Sequence, residues 1–290
     1  MTSRASALLG AATLALVATP AAAQFGGTCD RAMLGDVAGK YVRAQTEGMP
    51  LYVPMGNWVT YHENGKLSTM SQGLLSTPLK ISWHRALLDE TACRVFLQMT
   101  SHEGEKPYVI AVQFDARGGN ASGFKVITTT DGDWLFDASY TYEYARREDW
   151  PVIPENRRNA REELIAAADA YLDLFSDKTV EVPWGTPCRR LEGSIYTGTG
   201  AADDSCNVGV PEGVQMIERQ YVVDETIGAV GVFLLMGGNK IPDSHLFRIE
   251  DGKIRNIHTV TNCLGNENCG FGPFADMLAR NPGMRPEFKD

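Results

Sequence analysis

The sequence predicts an α+β protein made of two similar units in tandem. Two amphipathic helices are expected, at residues 29–47 and from residue 157, and each is followed by segments with the alternating pattern of β-strands. A Val-Pro-x-Gly motif and an Asp-Glu-Thr motif recur in the same order after each helix. A helix followed by a run of antiparallel strands is typical of the α+β class.

The repeated motifs indicate a duplication. Val-Pro-x-Gly occupies residues 53–56 and again 182–185, and Asp-Glu-Thr occupies 89–91 and again 224–226. Motifs that recur in one order at a nearly constant spacing are typical of tandem repeats. We therefore expect a targeting segment at residues 1–23, a first unit at 24–150, and a second unit at 151–290 with a Gly/Pro-rich tail.

The elements of each unit follow from apolar periodicity. The first unit has its clearest strand at residues 108–115, with a return strand at 124–130. Residues 133–154 are rich in aromatic residues and proline, and we interpret them as a crossover rather than a second core. The apolar stripe of the second helix consists of Leu164, Ile165, Ala168, Tyr171, Leu172 and Phe175.

A β-hairpin at residues 242–260 is the central element of the second unit. An Asp-Gly dipeptide between two β-rich runs predicts a type I′ turn. Counting back from a two-residue loop pairs Phe247 with Asn256 and His245 with His258. The two histidines would then lie side by side on an apolar face, as in a ligand pocket. The alternative is that both are structural histidines at the edge of the core.

Composition excludes some classes of function. The chain is 43% hydrophobic and 22% charged, as in globular proteins, and its net charge is −9. It contains no run of more than two Lys or Arg residues, so nucleic-acid binding is not expected. No nucleotide-binding loop, catalytic-triad order or metal-binding motif occurs, and we expect no cofactor and no metal.

The first 23 residues have the pattern of a signal peptide. Arg4 provides a positive charge, residues 7–17 are apolar, and three alanines at 21–23 form a cleavage site. We expect cleavage before Gln24 and a periplasmic or secreted protein without a membrane anchor. An uncleaved anchor is the alternative.

Six cysteines lie in the mature part of the chain, and an even number in an oxidising compartment favours disulfides. Short loops favour the pairs Cys188–Cys206 and Cys263–Cys269, which leave Cys29 with Cys93. A zinc site and a cysteine nucleophile remain as alternatives, so the connectivity is left open.

A resemblance to a known family is carried by the helix ending near Phe175, the Asp-Glu-Thr motif at 224–226 and the hairpin residues 243–254. These residues resemble the nuclear-transport-factor-2-like superfamily, which includes ketosteroid isomerase, scytalone dehydratase and SnoaL-like cyclases. Residues 157–265 look like a secreted subgroup, through the Pro-Trp-Gly-Thr-Pro-Cys stretch at 183–188 and the start of the hairpin.

The resemblance implies two tandem cone-shaped α+β barrels, with helices packed on a curved antiparallel sheet. It also implies cofactor-free acid–base chemistry on an aromatic substrate. A further similarity, in fold class and compartment only, links the chain to the γ-formaldehyde lyases that act on lignin-derived biaryls.

The candidate catalytic residues lie in the second unit. The first unit has no histidine where the second has His245 and His258, which favours a functional role for this pair. Asp224 is a candidate base, although its repetition at Asp89 favours a structural role. Arg219 and Tyr221 share a strand face and are candidates to stabilise a phenolate or enolate oxygen; for an arginine, a surface salt bridge is the commoner role.

The candidate substrate-binding residues are Trp184, Tyr196, Phe247 and Asn256. Ordinary packing is the alternative for the aromatic members of this set. Arg248 and Arg255 fall on the opposite strand face, which we interpret as solvated.

The expected function is that of an exported lyase or isomerase acting on a small aromatic substrate, such as a lignin-derived biaryl, in the second unit. The alternative is a periplasmic protein that binds a small molecule without turnover, and a third hypothesis is a structural protein. The expected partner is a small aromatic ligand, with no nucleic acid and no membrane after cleavage, and a homo-oligomer is possible.

Overall fold

The computed structural model describes residues 29–280 and the short strand Pro286–Glu287, so the predicted targeting segment lies outside the described residues. The chain has the α+β architecture that the sequence predicts. Its α-helices are α1 (Arg31–Glu47), α2 (Ala138–Ala145), α3 (Arg161–Asp173) and α4 (Phe274–Arg280).

The strands of the described residues form two sheets. The first sheet contains β1 (Tyr61–Glu63), β2 (Lys66–Ser68), β3 (Trp83–Asp89), β4 (Arg94–Ser101), β5 (Tyr108–Asp115) and β6 (Ser122–Thr129). The second contains β7 (Trp184–Glu192), β8 (Ile195–Thr197), β9 (Met216–Asp224), β10 (Ala229–Met236), β11 (Ile241–Glu250), β12 (Lys253–Thr261) and β13 (Pro286–Glu287).

Both sheets are open and share one strand order. The first runs β2-β1-β6-β5-β4-β3 and the second β13-β8-β7-β12-β11-β10-β9. In each sheet, the first strand of an early hairpin pairs in parallel with the last strand of an antiparallel meander. These pairs are β1 with β6 and β7 with β12. Except for β13, every strand of the second sheet thus has a counterpart in the first. The unit boundary at residue 150 falls between α2 and α3 and stays a prediction.

The two sheets pack face to face, and the long helices cover their outer faces. Helix α1 buries Leu34 and Tyr41 against the first sheet, and α3 buries Leu164 and Tyr171 against the second. A third apolar core fills the space between the sheets. The molecule is therefore layered helix, sheet, sheet, helix.

The sheets approach closely at Gly231, and this contact yields a prediction. A Cβ atom at Gly231 would lie 2.5 Å from Cδ2 of Phe96 in the facing sheet. Because overpacking a close-packed core forces neighbours to shift, Gly231→Ala is expected to lower the free energy of unfolding by about 1–3 kcal/mol. Urea denaturation measures the change, and Gly238→Ala, with nothing within 4 Å of its Cβ, is the control. Equal stability of the two variants would contradict the contact.

The predicted register of the central hairpin is correct near the turn and wrong beyond it. Asp251 and Gly252 both have positive φ, and Ile249 pairs with Ile254 as expected. A β-bulge at Arg255 then shifts the pairing by one residue. Since side chains alternate along a strand, one extra residue turns the rest of β12 over.

The bulge corrects the predicted faces. His245 pairs with Thr259, and His258 pairs with Leu246, so the two histidines lie on opposite faces of the second sheet. The prediction of a solvated Arg248 is also wrong. This side chain is 1% exposed and lies between the sheets, where it donates hydrogen bonds to the carbonyls of Ile227 and Pro151.

The edges of the two sheets are joined by a reciprocal pair of aspartates. Asp224 accepts two hydrogen bonds from Arg31 of α1, at 2.7 and 3.0 Å, and one from the amide of Leu88 at 2.9 Å. Asp89 accepts two from Arg161 of α3, at 2.7 and 2.8 Å, and one from the amide of Val223 at 2.9 Å. Each repeat therefore provides the arginine for the other repeat's Asp-Glu-Thr turn.

Three disulfides link Cys29 with Cys93, Cys188 with Cys206, and Cys263 with Cys269. The pairing favoured by the sequence is confirmed, and three disulfides fit an oxidising compartment. Within residues 29–280, none of the helices has the length and apolar character needed to cross a bilayer.

Candidate functional site

The hairpin of β11 and β12 positions the two predicted histidines in different layers of the molecule. His245 faces α3, and its ring lies 5.6 Å from that of Tyr171. His258 faces the first sheet, where its ring contacts Gln98 of β4. The predicted site residues therefore divide into two groups, one on each face of the second sheet.

His245 lies beside a carboxylate inside the second unit. Its Nδ1 atom is 2.8 Å from Oδ2 of Asp243, although the two groups are not aligned as a hydrogen bond. The Thr261 hydroxyl donates to the other Asp243 oxygen at 2.6 Å, which fixes the carboxylate. Phe247 stacks on the imidazole with ring centres 5.9 Å apart. Asp243 and His245 are 0% and 3% exposed, so this acid–base pair is shielded from bulk water.

Asp243 and His245 line a small cavity of about 40 Å³ on the outer face of the second sheet, just beyond the end of α3. Phe175 and Met236 contribute apolar walls, and Phe271 and Met277 of the C-terminal segment complete the lining. The volume is large enough for one or two water molecules. A few polar groups in an apolar enclosure are typical of small-molecule sites, although this cavity is small for one.

A second buried charge pair lies next to this cavity. The Arg190 guanidinium pairs with Glu192, which lines the cavity, and donates to the carbonyl of Val208 at 2.7 Å. Burial lowers the pKa of Arg190, but Glu192 more than offsets this effect, and the pKa lies above its ordinary value. Burial raises the pKa of the Tyr171 phenol, which therefore stays protonated at neutral pH. The cavity lining thus contains an imidazole and two carboxylates, and the neutral phenol of Tyr171 lies next to His245 behind that lining.

His258 belongs to a different cluster, between the sheets and centred on Glu148. Its Nδ1 lies 2.9 Å from Oε1 of Gln98, and its Nε2 lies 2.8 Å from Oε2 of Glu148. The other oxygen of Glu148 accepts from Asn256 at 2.9 Å and from the Tyr196 hydroxyl at 3.1 Å. This cluster joins the first sheet, the crossover and the second sheet.

Arg85 and Trp150 complete the Glu148 cluster. The Trp150 indole donates to Glu148 Oε2 at 3.0 Å, and the Arg85 guanidinium lies 3.8 Å above the Trp150 ring and also donates to the Glu148 carbonyl. Burial raises the pKa of Glu148, but His258 and Arg85 outweigh it, and the pKa lies below its ordinary value. Burial lowers the pKa of Arg85 to about 10. The carboxylate is therefore ionised and fully engaged, as in a structural ion-pair network.

The remaining predicted catalytic residues have other partners. Asp224 is engaged by Arg31 and backbone amides at the sheet edges. Arg219 donates to Asp169 of α3 at 2.8 Å, and the Tyr221 hydroxyl donates to the same oxygen at 2.6 Å. Burial, followed by Asp169, raises the pKa of Tyr221 to about 12. None of these three predicted residues lines the cavity that contains His245.

The four predicted substrate-binding residues also divide between the two faces. Phe247 stacks on His245, and Trp184 meets Tyr171 edge to face, with ring centres 5.8 Å apart. Tyr196 and Asn256 belong instead to the Glu148 cluster. The structure therefore gives the His245 side an aromatic wall and the His258 side a charged one.

Sequence reasoning missed the two carboxylates that accompany the histidines. Asp243 stands two residues before His245, a spacing that puts both on one strand face, so its role was readable from the sequence. Glu148 lies in the crossover, 110 residues from His258, and no local pattern marks it. No group of three or more His, Cys, Asp or Glu side chains within the described residues is placed to hold a metal ion.

Comparison with known families gives one match. Residues 157–261 match a family described as a domain of unknown function (DUF8021). The matched stretch contains α3 and strands β7 to β12, and so includes Asp243 and His245 together with His258. A search of curated proteins found no match to the chain. The match therefore covers most of the second unit.

Proposed function

We propose that this protein is an exported, cofactor-free lyase or isomerase that carries out acid–base chemistry in the cavity of its second unit. The observation that carries the proposal is the buried His245–Asp243 pair on the wall of an apolar cavity. The Asp243 carboxylate, 2.8 Å from Nδ1, would stabilise the imidazolium that forms when His245 accepts a proton. His245 is then the base, and Asp243 its positioning residue.

The neutral phenol of Tyr171 provides the hydrogen-bond donor that complements this base. The ring of Tyr171 lies 5.6 Å from that of His245, and the hydroxyl is close to the Arg190 guanidinium. In the proposed mechanism His245 removes a proton from the substrate, and the Tyr171 hydroxyl donates a hydrogen bond to the oxyanion that develops. His245 thus keeps its predicted catalytic role. Tyr171 replaces His258, Arg219 and Tyr221 as the group that stabilises the oxyanion.

The substrate class is a small aromatic molecule, because Phe247, Trp184 and Phe175 surround His245 and Tyr171. The resemblance to the nuclear-transport-factor-2-like superfamily, with its cone-shaped fold, supports this choice and extends it to lignin-derived biaryls. For a formaldehyde-releasing step, His245 would take the O–H proton of a hydroxymethyl group, and formaldehyde would form as the carbon–carbon bond breaks. The electron pair of that bond would pass to the phenol-bearing fragment, which would then take the proton back from His245. Because about 40 Å³ does not admit an aromatic ring, the proposal requires the segment bearing Phe271 and Met277 to move outward.

The test is a screen of hydroxymethyl-bearing aromatic dimers and enolisable aromatic ketones, with product analysis by mass spectrometry. His245→Asn is expected to lower kcat/KM by at least about 10²-fold, the range of general acid–base catalysis. Asp243→Asn should lower kcat and shift the pH profile of kcat/KM. The control is His84→Asn, which changes an exposed histidine of the first unit.

Two outcomes would overturn the enzyme proposal. One is full turnover by a folded His245→Asn variant. The other is saturable ligand binding without product for every compound that binds, and this result would favour a binding protein. Circular dichroism of each variant shows whether it is folded.

A further inference from the structure

The space between the sheets has two ends, related by the shared strand order, and the crossover fills only one of them. Asp89 and Asp224 occupy equivalent positions in the two sheets. When the paired residues of each sheet are matched outward from these aspartates, strand by strand, Arg85 corresponds to Gln220 and His258 corresponds to Lys125. Arg85 and His258 lie at the end that contains Glu148, and Gln220 and Lys125 lie at the opposite end. Each end therefore presents a polar strand face with a basic side chain.

At the filled end, the crossover supplies a carboxylate and an aromatic ring. Glu148 contacts His258 at 2.8 Å, and the Trp150 indole lies 3.8 Å from the Arg85 guanidinium. Tyr196, at the rim, is 8% exposed because Tyr144 of α2 stacks on it at 4.8 Å. The basic face of this end is thus neutralised and covered from within the chain.

At the opposite end, the same face borders an open groove. A cavity of about 260 Å³ is lined by His62, Lys125, Gln220 and Phe233, and an adjoining one of about 220 Å³ shares the first three of these residues. Leu67, which corresponds in register to Tyr196, is 73% exposed. Nothing in the described chain plays the part that α2 and Trp150 play at the filled end.

The groove carries an uncompensated positive charge. Lys125 contacts the amide oxygen of Gln220, and no carboxylate within the described residues forms an ion pair with it. The two acidic side chains in the groove already have cationic partners: Asp115 pairs with Arg94, and Glu218 lies 3.9 Å from Lys240. Burial, followed by the charge of Arg94, holds the pKa of Lys125 below its ordinary value, and the more distant carboxylates of Glu218 and Asp115 do not offset these two effects.

A second unsatisfied group points to the same place. Gln113 lines the adjoining cavity, is 4% exposed, and donates its amide to Gln220 at 3.2 Å. Its amide oxygen has no hydrogen-bond partner. Buried polar atoms are nearly always paired, so this free acceptor near a lysine without an ion-pair partner indicates a site that a ligand with both an acidic group and an N–H or O–H donor would complete.

We propose that this groove is a second binding site, which takes a small molecule bearing a carboxylate next to an aromatic ring. The carboxylate lies against Lys125, as Glu148 lies against His258 at the filled end. The ring lies between Phe233 and Pro242, where the groove wall is apolar. The volume suits one ring system with a short acidic side chain, and is too small for a folded segment of a partner protein.

Isothermal titration calorimetry with indole-3-acetate tests this site in the full mature protein. The probe combines the ring of Trp150 with the charge of Glu148, and indole-3-acetamide is its uncharged counterpart. We expect saturable binding of the acid, with the amide at least about tenfold weaker, because a charged group contributes more to a partly buried hydrogen bond than a neutral one.

Variants separate this site from the cavity of the second unit. Lys125→Gln is expected to weaken binding of the acid about tenfold, whereas Lys253→Gln, the same charge change at an exposed turn, should leave it within twofold. His245→Asn should also leave it unchanged. Equal affinity for acid and amide, wild-type affinity in Lys125→Gln, loss of binding in His245→Asn, or no saturable binding at millimolar probe would each overturn the proposal.

Discussion

Asp224→Ala is expected to lower the free energy of unfolding by about 2–3 kcal/mol, because it leaves the partly exposed Arg31 guanidinium and a backbone amide without their acceptor. The Asp224 side chain is fully buried, and its oxygens accept from both terminal nitrogens of Arg31 and from the Leu88 amide. Asp89→Ala should have the same effect through Arg161 and Val223. Urea denaturation with the disulfides intact measures both changes.

The control for this prediction is Asp36→Ala on α1. Asp36 and Lys40 form an ion pair at 2.7 Å in which both side chains are about half exposed. Exposed pairs of this kind contribute about 0–1 kcal/mol. If Asp224→Ala and Asp36→Ala unfold at the same urea concentration, the reciprocal contacts do not hold the sheets together.

Glu148→Ala is the second large expected effect, at about 3–5 kcal/mol, because the carboxylate is the shared acceptor of a buried network. Its removal leaves Nε2 of His258 and the donor groups of Asn256, Tyr196 and Trp150 without the acceptor that they share. The loss should appear as a lower thermal midpoint. Glu143→Ala, which changes a glutamate five residues earlier on α2 that pairs with the half-exposed Arg146, is the matched control.

The same carboxylate predicts a pH dependence. The pKa of Glu148 in the folded protein lies below its ordinary value of 4.5, so the folded state binds this proton less readily than the unfolded state. The stability that Glu148 contributes is therefore complete above about pH 4.5 and is lost as the pH falls through the lower, folded pKa. Between neutral pH and pH 3, wild-type stability should fall more steeply than that of Glu148→Gln. Parallel pH curves for the two proteins would be inconsistent with a depressed pKa.

Local pattern was enough to predict α1, α3 and the hairpin turn, whereas α2 and α4 were not predicted. Apolar spacing defines α1 and α3, and positive φ at Asp251 and Gly252 is what the Asp-Gly dipeptide predicts. These features depend on residues close together in sequence. The repetition of Asp-Glu-Thr favoured a structural role for Asp224, and its carboxylate is indeed engaged at the sheet edges.

The strand face of His258 and the role of Glu148 could not be predicted from the neighbouring sequence. The bulge at Arg255 arises where β12 also pairs with β7, and the Arg255 side chain donates to the carbonyl of Thr186 at 2.8 Å. A register counted from the turn alone misses this neighbour, so His258 was assigned to the wrong face. Glu148 was missed for a similar reason, since its partners come from strands of both sheets.

The exchange of Arg31 and Arg161 between the repeats gives the interface the form of an isologous homodimer inside one polypeptide. In a true homodimer, both ends of such an interface are identical by symmetry. A single chain has one connecting peptide, and that peptide occupies one end only. Covalent linkage of the repeats therefore makes the two ends of their interface inequivalent. The two repeats can also differ inside, since the first has an apolar interior around Tyr41 and the second contains His245.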